Sequence, residues 1–312
     1  MSTVAERAER PRAPARSRVR RLRRSPTWRF IRRIPFYVLV AAIFIYALFP
    51  FYWAFKSAFT PDRDLFSTPV EYIPSHPTLH QFHEVLSNSF FLRAMLNSTI
   101  VAGSVTLLAL AVGSLASFAL GRFRFIGRTA TLYLMLSMTI FPQIAILGAL
   151  YTMFTSFHVW RVHLHLYDTL WALIVSYMIF TLPLTIWVLT SFMRALPKDL
   201  EEAAYIDGAT PFQTFYKVLL PLVAPGLVTT GLLAFIAAWN EFLYALSFEQ
   251  TPDNFTVPVA LVNFVGKSGS TFQVPWGQLM AATVIVTVPL IVITLLLQRR
   301  ILAGLTAGAV KG

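Results

Sequence analysis

Long apolar tracts alternate with short polar segments along the chain. Each tract is at least as long as the roughly 20 residues that an α-helix needs to cross the hydrocarbon core of a bilayer. The six tracts are Pro35–Phe55, Ala94–Leu120, Thr129–Phe157, Leu170–Met193, Leu222–Phe248 and Val274–Gln298. Only the fifth contains a charged residue, Glu241. The pattern predicts an all-α, polytopic membrane protein with six transmembrane helices in contact with the lipid bilayer.

The composition and the placement of charge support this prediction. Hydrophobic residues make up 56% of the chain and charged residues 13%, whereas about 25% of an average soluble protein is charged. A net charge of +12 could suggest nucleic-acid binding. With the N-terminus inside, however, 21 Lys and Arg residues fall in internal segments and 5 in external ones, which is the positive-inside bias. We therefore expect both termini in the cytoplasm and no nucleic-acid partner.

The N-terminal segment is basic and precedes the first apolar tract. Residues 1–33 are rich in Arg, Pro and Ala, which is typical of a disordered cytoplasmic tail that contacts anionic lipid. The tract that follows spans 21 residues without a small-residue cleavage site, so an uncleaved anchor is expected rather than a signal peptide. The chain has no cysteine, and disulfide bonds are therefore excluded.

A polar segment between the fourth and fifth tracts carries the signals of two short helices. Asp199 can cap the first helix, with Glu202 in the capping-box position, and Gly208 follows where a left-handed stop is needed. The segment Thr210–Gln213 then supplies a second cap, which is a threonine, followed by a proline at the first helical position and a glutamine three residues after the cap. An apolar stripe at helical spacing comes next: Phe212, Phe215, Tyr216 and Leu219. This arrangement predicts a helix–glycine–helix unit that ends at Pro221 and is suited to a soluble partner.

Three motifs in order carry a resemblance to a known family. Glu202-Ala203-Ala204, Gly208 and Val218-x-Leu220-Pro221 resemble the coupling-loop signature of ABC importer permeases, although isoleucine is usual at the position of Val218. Trp239-Asn240-Glu241-Phe242 and the terminal segment Gly304–Gly312 are similar to the carbohydrate branch, the maltose- and trehalose-type permeases. The resemblance covers residues 34–312 and implies a type I importer permease domain with its coupling loop at 194–221.

The resemblance implies a machine in which this chain is only one part. Its expected partners are a second permease subunit, two ATP-binding subunits and an extracytoplasmic sugar-binding protein. ATP and Mg would be bound by the ATP-binding subunits, so this chain would be no enzyme, with no catalytic residue and no cofactor of its own. The expected activity is import of a sugar, such as trehalose or maltose, across a bacterial or archaeal cytoplasmic membrane. The residues expected to couple to the ATPase are Glu201, Glu202, Ala203, Ala204, Asp207, Gly208, Ala209 and Pro221.

Two further sets of residues are candidates for function. A charge inside a spanning segment usually faces protein or water, so Trp239, Asn240 and Glu241 are predicted at the pathway or gate. Interhelical packing is the alternative for Glu241, and a proton-coupled secondary carrier with Glu241 as its proton site is the alternative for the whole chain. In the resembling systems the last external loop reaches the binding protein, which implies contacts from Asn263, Gly266, Lys267 and Ser268.

Two motifs imitate other sites. Gly266-Lys267-Ser268 matches the end of a phosphate-binding loop, but Leu261 occupies the position of the required first glycine. His76, His80 and His83 have a spacing that could suit a metal, yet Pro77 interrupts the start of a helix and no cysteine accompanies them. We therefore expect no metal site.

Overall fold

The structure is a computed structural model of the 312-residue chain. It describes residues 33–156, 158–159, 162–163, 166–267 and 274–309, with side-chain surroundings for 33–156, 166–263 and 274–298. The chain divides into two compact units, residues 1–51 and 52–312. The described part of the first unit is helical throughout after residue 33. The predicted tail at residues 1–33 lies, apart from its last residue, outside the described residues.

Helices account for nearly all regular structure in the described ranges, as the sequence predicts. The helices are α1 Ile34–Ala58, α2 His80–Ser87, α3 Ser89–Arg122, α4 Arg128–Ile140, α5 Gln143–Ser156, α6 Leu170–Ala195, α7 Asp199–Ile206, α8 Pro211–Thr214, α9 Leu220–Leu222, α10 Ala224–Trp239, α11 Leu243–Phe248, α12 Val257–Lys267 and α13 Trp276–Ala309. A π-helical turn at Phe215–Leu219 joins α8 to α9, and 3₁₀ turns lie at Asp62–Asp64 and Pro252–Asn254. Strands β1 His158–Val159 and β2 Val162–His163 form a minimal antiparallel hairpin.

Four of the six predicted spans are continuous helices, and two are broken. Helices α1, α3, α6 and α13 are each long and apolar enough to cross a bilayer. The third tract bends by 95° between α4 and α5, beside Pro142, because proline cannot donate a helical hydrogen bond. The fifth tract, Leu222–Phe248, is not one straight helix either. The chain instead bends by 76° before α10 and breaks again at residues 240–242.

Glycines set the distance between α3 and its neighbours. A Cβ atom added at Gly113 would lie 2.8 Å from Thr185 Cγ2, and one added at Gly121 would lie 2.8 Å from Met193 Cβ. Contact positions thus advance together along α3 and α6, so these helices run parallel. Helix α10 runs antiparallel to both, because Gly226 packs against Phe192 near the end of α6, whereas the later Gly231 packs against Leu110, well before the end of α3. This close approach matches the small-residue packing expected of helices in lipid.

The bent pair α4–α5 passes from one end of this bundle to the other. Arg128 donates to the carbonyls of Leu120 and Gly121 at 2.7 and 2.9 Å, where α3 ends. At the other extreme, the ring of Phe154 meets that of Phe248 edge-on, 5.3 Å apart. The pair therefore acts as one broken span rather than a loop that returns to its own side. We call the end of the bundle where α3 and α6 finish the coupling end, and the end where they begin the far end.

Candidate functional site

Gly208 ends α7 at the coupling end with a complete Schellman motif. Its φ of +81° lies in the left-handed region. The Gly208 amide donates to the carbonyl of Tyr205 at 3.0 Å, and the Ala209 amide donates to that of Ala204 at 2.9 Å. These two bonds satisfy the last carbonyls of α7. The predicted left-handed stop is confirmed in its geometry.

The second helix of the unit begins as the sequence predicts. The Gln213 amide donates to Thr210 Oγ1 at 3.3 Å, and the Thr210 amide donates to Gln213 Oε1 at 2.8 Å, forming a capping box with Pro211 at the first helical turn. The helix does not stop at Pro221, because a π turn at Phe215–Leu219 carries the chain past that proline. A π turn changes the hydrogen-bond register, which lets the helix absorb a residue without an amide hydrogen.

The predicted cap at Asp199 is wrong. Helix α7 begins at Asp199 itself, and the residue before it, Lys198, makes no capping hydrogen bond with its side chain. Asp199 and two glutamates instead place three acidic side chains in the first turn, where the positive end of the helix dipole stabilises negative charge.

One of those glutamates fastens α7 to the membrane bundle. Glu201 Oε1 lies 2.5 Å from Arg122 Nε at the end of α3, and these side chains are only 14% and 5% exposed. Arg122 also donates to the carbonyl of Leu196 at 3.0 Å. Glu201, predicted to contact the ATPase, is thus engaged within this chain. The sequence does not predict this pair, because its members are far apart along the chain.

The apolar stripe divides between the bundle and the surface. Phe215 and Leu219 are buried in a cluster with Phe118, Met193 and Val223. The other two residues of the stripe, Phe212 and Tyr216, lie outside this cluster, and Phe212 is 63% exposed. Helix α7 adds Tyr205 and Ile206, and Ile206 is 86% exposed.

The exposed residues form a mixed apolar and acidic surface around the glycine bend. Of the predicted coupling residues, those exposed are Glu202, Ala203, Asp207, Gly208 and Pro221, while Ala209 is half-buried and Ala204 is buried. We call this the coupling surface: Glu202, Ala203, Tyr205, Ile206, Asp207, Phe212 and Tyr216. Its underside is held by the Arg122–Glu201 pair and the Phe215 cluster, so it is a supported surface and not a free loop.

Glu241 has a structural role that sequence reasoning missed. Its carboxylate accepts from the amides of Tyr244 at 3.0 Å and Ala245 at 3.3 Å. It thereby caps α11, in the gap where the fifth span breaks. Asn240 is exposed and donates to the carbonyl of Ile236 at 2.8 Å, while Trp239 is buried. The cap explains why a charged residue interrupts an apolar tract.

The two broken spans meet at their breaks. The hydroxyl of Tyr244 donates to the carbonyl of Gln143 at 3.0 Å, directly after Pro142. A cavity of about 40 Å³ opens between them and is lined by Gln143, Tyr177, Phe180, Thr181, Ala237, Ala238, Glu241 and Tyr244. Glu241 therefore lines a cavity whose walls are mostly apolar, and its place at the pathway or gate stays a prediction. Among the features that meet here, the sequence predicts only the break before Gln143, through Pro142.

A network of polar contacts organises the far end. Asp168, with φ +58°, accepts from the amides of Gln250 and Thr251 at 2.8 and 3.1 Å and from the Thr251 hydroxyl. Burial acts to raise the pKa of Asp168, but these hydrogen bonds hold that pKa below its ordinary value. Asn97 donates to the carbonyls of Asp253 and Phe255 at 2.8 and 3.0 Å. The first half of the predicted external loop is thus folded onto α3 and the start of α6.

The residues predicted to contact a binding protein follow this network. Asn263 lies in α12 and donates to the carbonyl of Val259 at 3.0 Å. The backbone of Gly266 and Lys267 completes α12, and Ser268 lies outside the described residues. Among the residues that the structure describes, no group of three His, Cys, Asp or Glu side chains could hold a metal ion.

Comparisons with known proteins identify the family. Residues 106–306 match the model for the inner membrane component of binding-protein-dependent transport systems. The chain is 39% identical over 282 residues to the trehalose transport system permease protein SugB of Mycobacterium tuberculosis, covering 90% of this chain and 99% of the relative. It is 41% identical over 285 residues to the trehalose/maltose transport system permease protein MalG of Thermococcus litoralis, covering 90% and 98%.

A solved structure supports the same fold. A chain of a bacterial ABC transporter that imports the acidic polysaccharide alginate superposes with a TM-score of 0.74 at 19% identity, over 88% of this chain and 98% of that chain. No support appears for a proton-coupled carrier. The all-α membrane bundle, the family model and the two relatives agree, and the chain belongs to the permease family of binding-protein-dependent ABC importers, the inner membrane components of these transport systems.

Proposed function

We propose that this chain is one permease subunit of an ATP-driven importer for a disaccharide of the trehalose and maltose class. Two relatives that align along nine-tenths of the chain bear trehalose or maltose transport in their names. The single observation that carries the coupling role is the coupling surface, a capped surface with exposed apolar residues that is held against one end of a membrane bundle.

The coupling surface suits a soluble ATP-binding partner. Exposed Ile206 and Phe212 offer apolar contact on either side of Gly208, and Glu202 and Asp207 offer charge at the rim. A movement imposed there reaches the membrane through the Arg122–Glu201 pair, because that pair links α7 to α3. The Phe215 cluster provides a second link, to Met193 at the end of α6.

The chain supplies half of the transport pathway. Its cavity beside Glu241 measures about 40 Å³, and an apolar groove between α6 and α10 measures about 80 Å³. Pockets that enclose small organic ligands usually measure about 300–1,000 Å³. A disaccharide therefore requires walls from a second permease subunit. ATP and Mg²⁺ belong to two ATP-binding subunits in this proposal, and this chain has neither a bound cofactor nor an ATPase site.

The far end is the proposed side of substrate delivery. The family name itself refers to a binding protein, and we place its contacts at the last turns of α12 and directly after it, through Asn263, Gly266, Lys267 and Ser268. The Asp168 and Asn97 contacts hold the base of this segment against the bundle. In the cytoplasmic membrane, this end would face outward and both termini inward.

Reconstituted transport tests the proposal. The complete complex is placed in proteoliposomes with ATP inside and the sugar-loaded binding protein outside. We expect uptake of trehalose or maltose that requires both ATP and the binding protein. Uptake driven by an imposed proton gradient without ATP would contradict the proposal, as would ATP-dependent uptake that ignores both sugars.

A further inference from the structure

We propose that the junction of the two broken spans is a subsite for a hydroxyl group of the transported sugar, with the Tyr177 hydroxyl and the Glu241 carboxylate as its recognition groups. The inference rests on the proposed function, since it concerns the sugar that the importer carries. It goes further by assigning direct sugar contact to this subunit.

Tyr177 has an unused hydroxyl at this junction. The residue is 3% exposed, and its hydroxyl lies beside the Glu241 carboxylate without making a hydrogen bond of ordinary geometry with the described part of the chain. The neighbouring hydroxyls of Ser176 and Thr181 behave differently, since each donates to a carbonyl one turn earlier in α6 at 2.7 and 2.8 Å. Buried polar groups are nearly always hydrogen-bonded. An unpaired hydroxyl that lines a cavity therefore indicates a partner that comes and goes.

Glu241 provides a fixed acceptor opposite that hydroxyl. Its two hydrogen bonds from the α11 backbone hold the carboxylate in place. Each carboxylate oxygen accepts one backbone bond there and has room for another. A sugar hydroxyl both donates and accepts, so it can bridge Tyr177 and Glu241. Gln143 adds an exposed amide at the rim.

Aromatic rings complete the chemistry expected for a sugar. Phe180 and Tyr244 line the cavity and stack with centroids 5.8 Å apart and planes at 24°. Carbohydrates combine polar edges with apolar C–H faces, and sites for such ligands join apolar walls to a few placed polar groups. The cavity shares Phe180, Thr181 and Ala237 with the apolar groove between α6 and α10. When one hydroxyl of the sugar is bound at the junction, the rest of the molecule would lie along that groove.

The variant Tyr177→Phe tests the subsite because it removes only the unpaired hydroxyl. Loss of a buried hydroxyl without a partner should not destabilise the fold, so the complex should assemble normally. Uptake of trehalose and of maltose is compared with uptake of their monodeoxy analogues in proteoliposomes, with the same binding protein throughout. We expect sugar uptake at limiting concentration to fall about tenfold. The variant should also lose the wild-type discrimination against one particular deoxy analogue.

Discrimination separates recognition from a structural effect. The wild-type and Tyr177→Phe complexes use the same binding protein. A difference between their preferences among the analogues therefore reports the contribution of this subunit. Tyr133→Phe is the matched control. It removes the hydroxyl of an exposed tyrosine and should keep the wild-type preferences. If wild-type and Tyr177→Phe complexes transport every analogue in the same ratios, the subsite does not exist. If the wild-type complex transports neither trehalose nor maltose, the proposed function fails, and the subsite fails with it.

Discussion

Gly208 is a residue whose backbone, rather than its contacts, decides what can replace it. A Cβ atom there would meet nothing within 4 Å, but φ is +81°. Gly208→Val should therefore cost about 1–2 kcal/mol in the left-handed conformation without any clash. We expect a permease that inserts and pairs with its membrane partner but loses the ATP-binding subunits during purification.

Gly208→Asn is the matched control, because asparagine tolerates the left-handed region best among residues with a side chain. It should retain the ATP-binding subunits. Co-purification measures both variants side by side. If Gly208→Val keeps the subunits and normal uptake, the coupling surface has been assigned to the wrong segment.

Glu249 links stability to pH at the far end, outside the membrane-spanning segments. Burial raises the pKa of Glu249 to about 8, with smaller contributions from the charges of Glu241 and Asp168 and an opposing one from the Thr256 hydrogen bonds. The folded chain therefore keeps a proton that the unfolded chain, with an ordinary value of 4.5, releases. This contribution to stability is fully present below about pH 4.5 and is lost as the pH rises through about 8.

Glu249→Gln removes the titration while its amide oxygen can still accept from the Thr256 amide. We expect the thermal midpoint of the wild type to fall more steeply than that of the variant between pH 5 and 8. Thermal unfolding in detergent at several pH values measures the difference. Parallel profiles for the two proteins would show that Glu249 is not buried as a neutral acid.

At the scale of elements, the Arg122–Glu201 pair joins α7 to α3. Removal of one member from a buried ion pair typically costs about 3–5 kcal/mol. Arg122→Ala should therefore loosen α7 and expose the coupling segment to limited proteolysis. Arg63→Ala, in a pair whose arginine is 76% exposed, is the control and should change nothing measurable. If the exchanged pair Arg122→Glu with Glu201→Arg shows no recovery over Arg122→Ala, the link is packing rather than charge.

How far these elements could be predicted depends on whether the signal is local. The apolar tracts, the left-handed stop at Gly208 and the cap at Thr210 are each signalled by consecutive residues, and the sequence predicts them. The cap at Asp199 was misplaced because a carboxylate in the first turn and one at the cap give similar sequence patterns. The break after Trp239 has neither Gly nor Pro, so its only signal in the sequence is Glu241, which predicts a pathway residue or interhelical packing rather than a cap. The contacts of Arg122 with Glu201 and of Tyr244 with Gln143 join distant segments, and one sequence does not reveal them.

At the scale of the whole molecule, the directions of the helices extend the charge pattern into a topology. Helices α3 and α6 run parallel and α10 antiparallel, which places the coupling surface and the segment before α2 at opposite ends of the second unit. The split of 21 to 5 Lys and Arg residues then assigns the coupling end to the cytoplasm. This orientation is a prediction that single cysteines can test, because the chain contains none.

Cysteines at Ser75 and Ala203 would report the two ends, since both residues are exposed. In sealed, right-side-out cells, an impermeant thiol reagent should label Ser75→Cys, and Ala203→Cys only after permeabilisation. Ser268→Cys should behave like Ser75→Cys, because it precedes α13 in the sequence. Gly277, in the first turn of α13, packs beside Gln81 of α2 at the far end. Labelling of Ala203→Cys in sealed cells would reverse the topology. It would also remove the coupling surface from the compartment that holds ATP, and an ATP-driven importer could not work in that orientation.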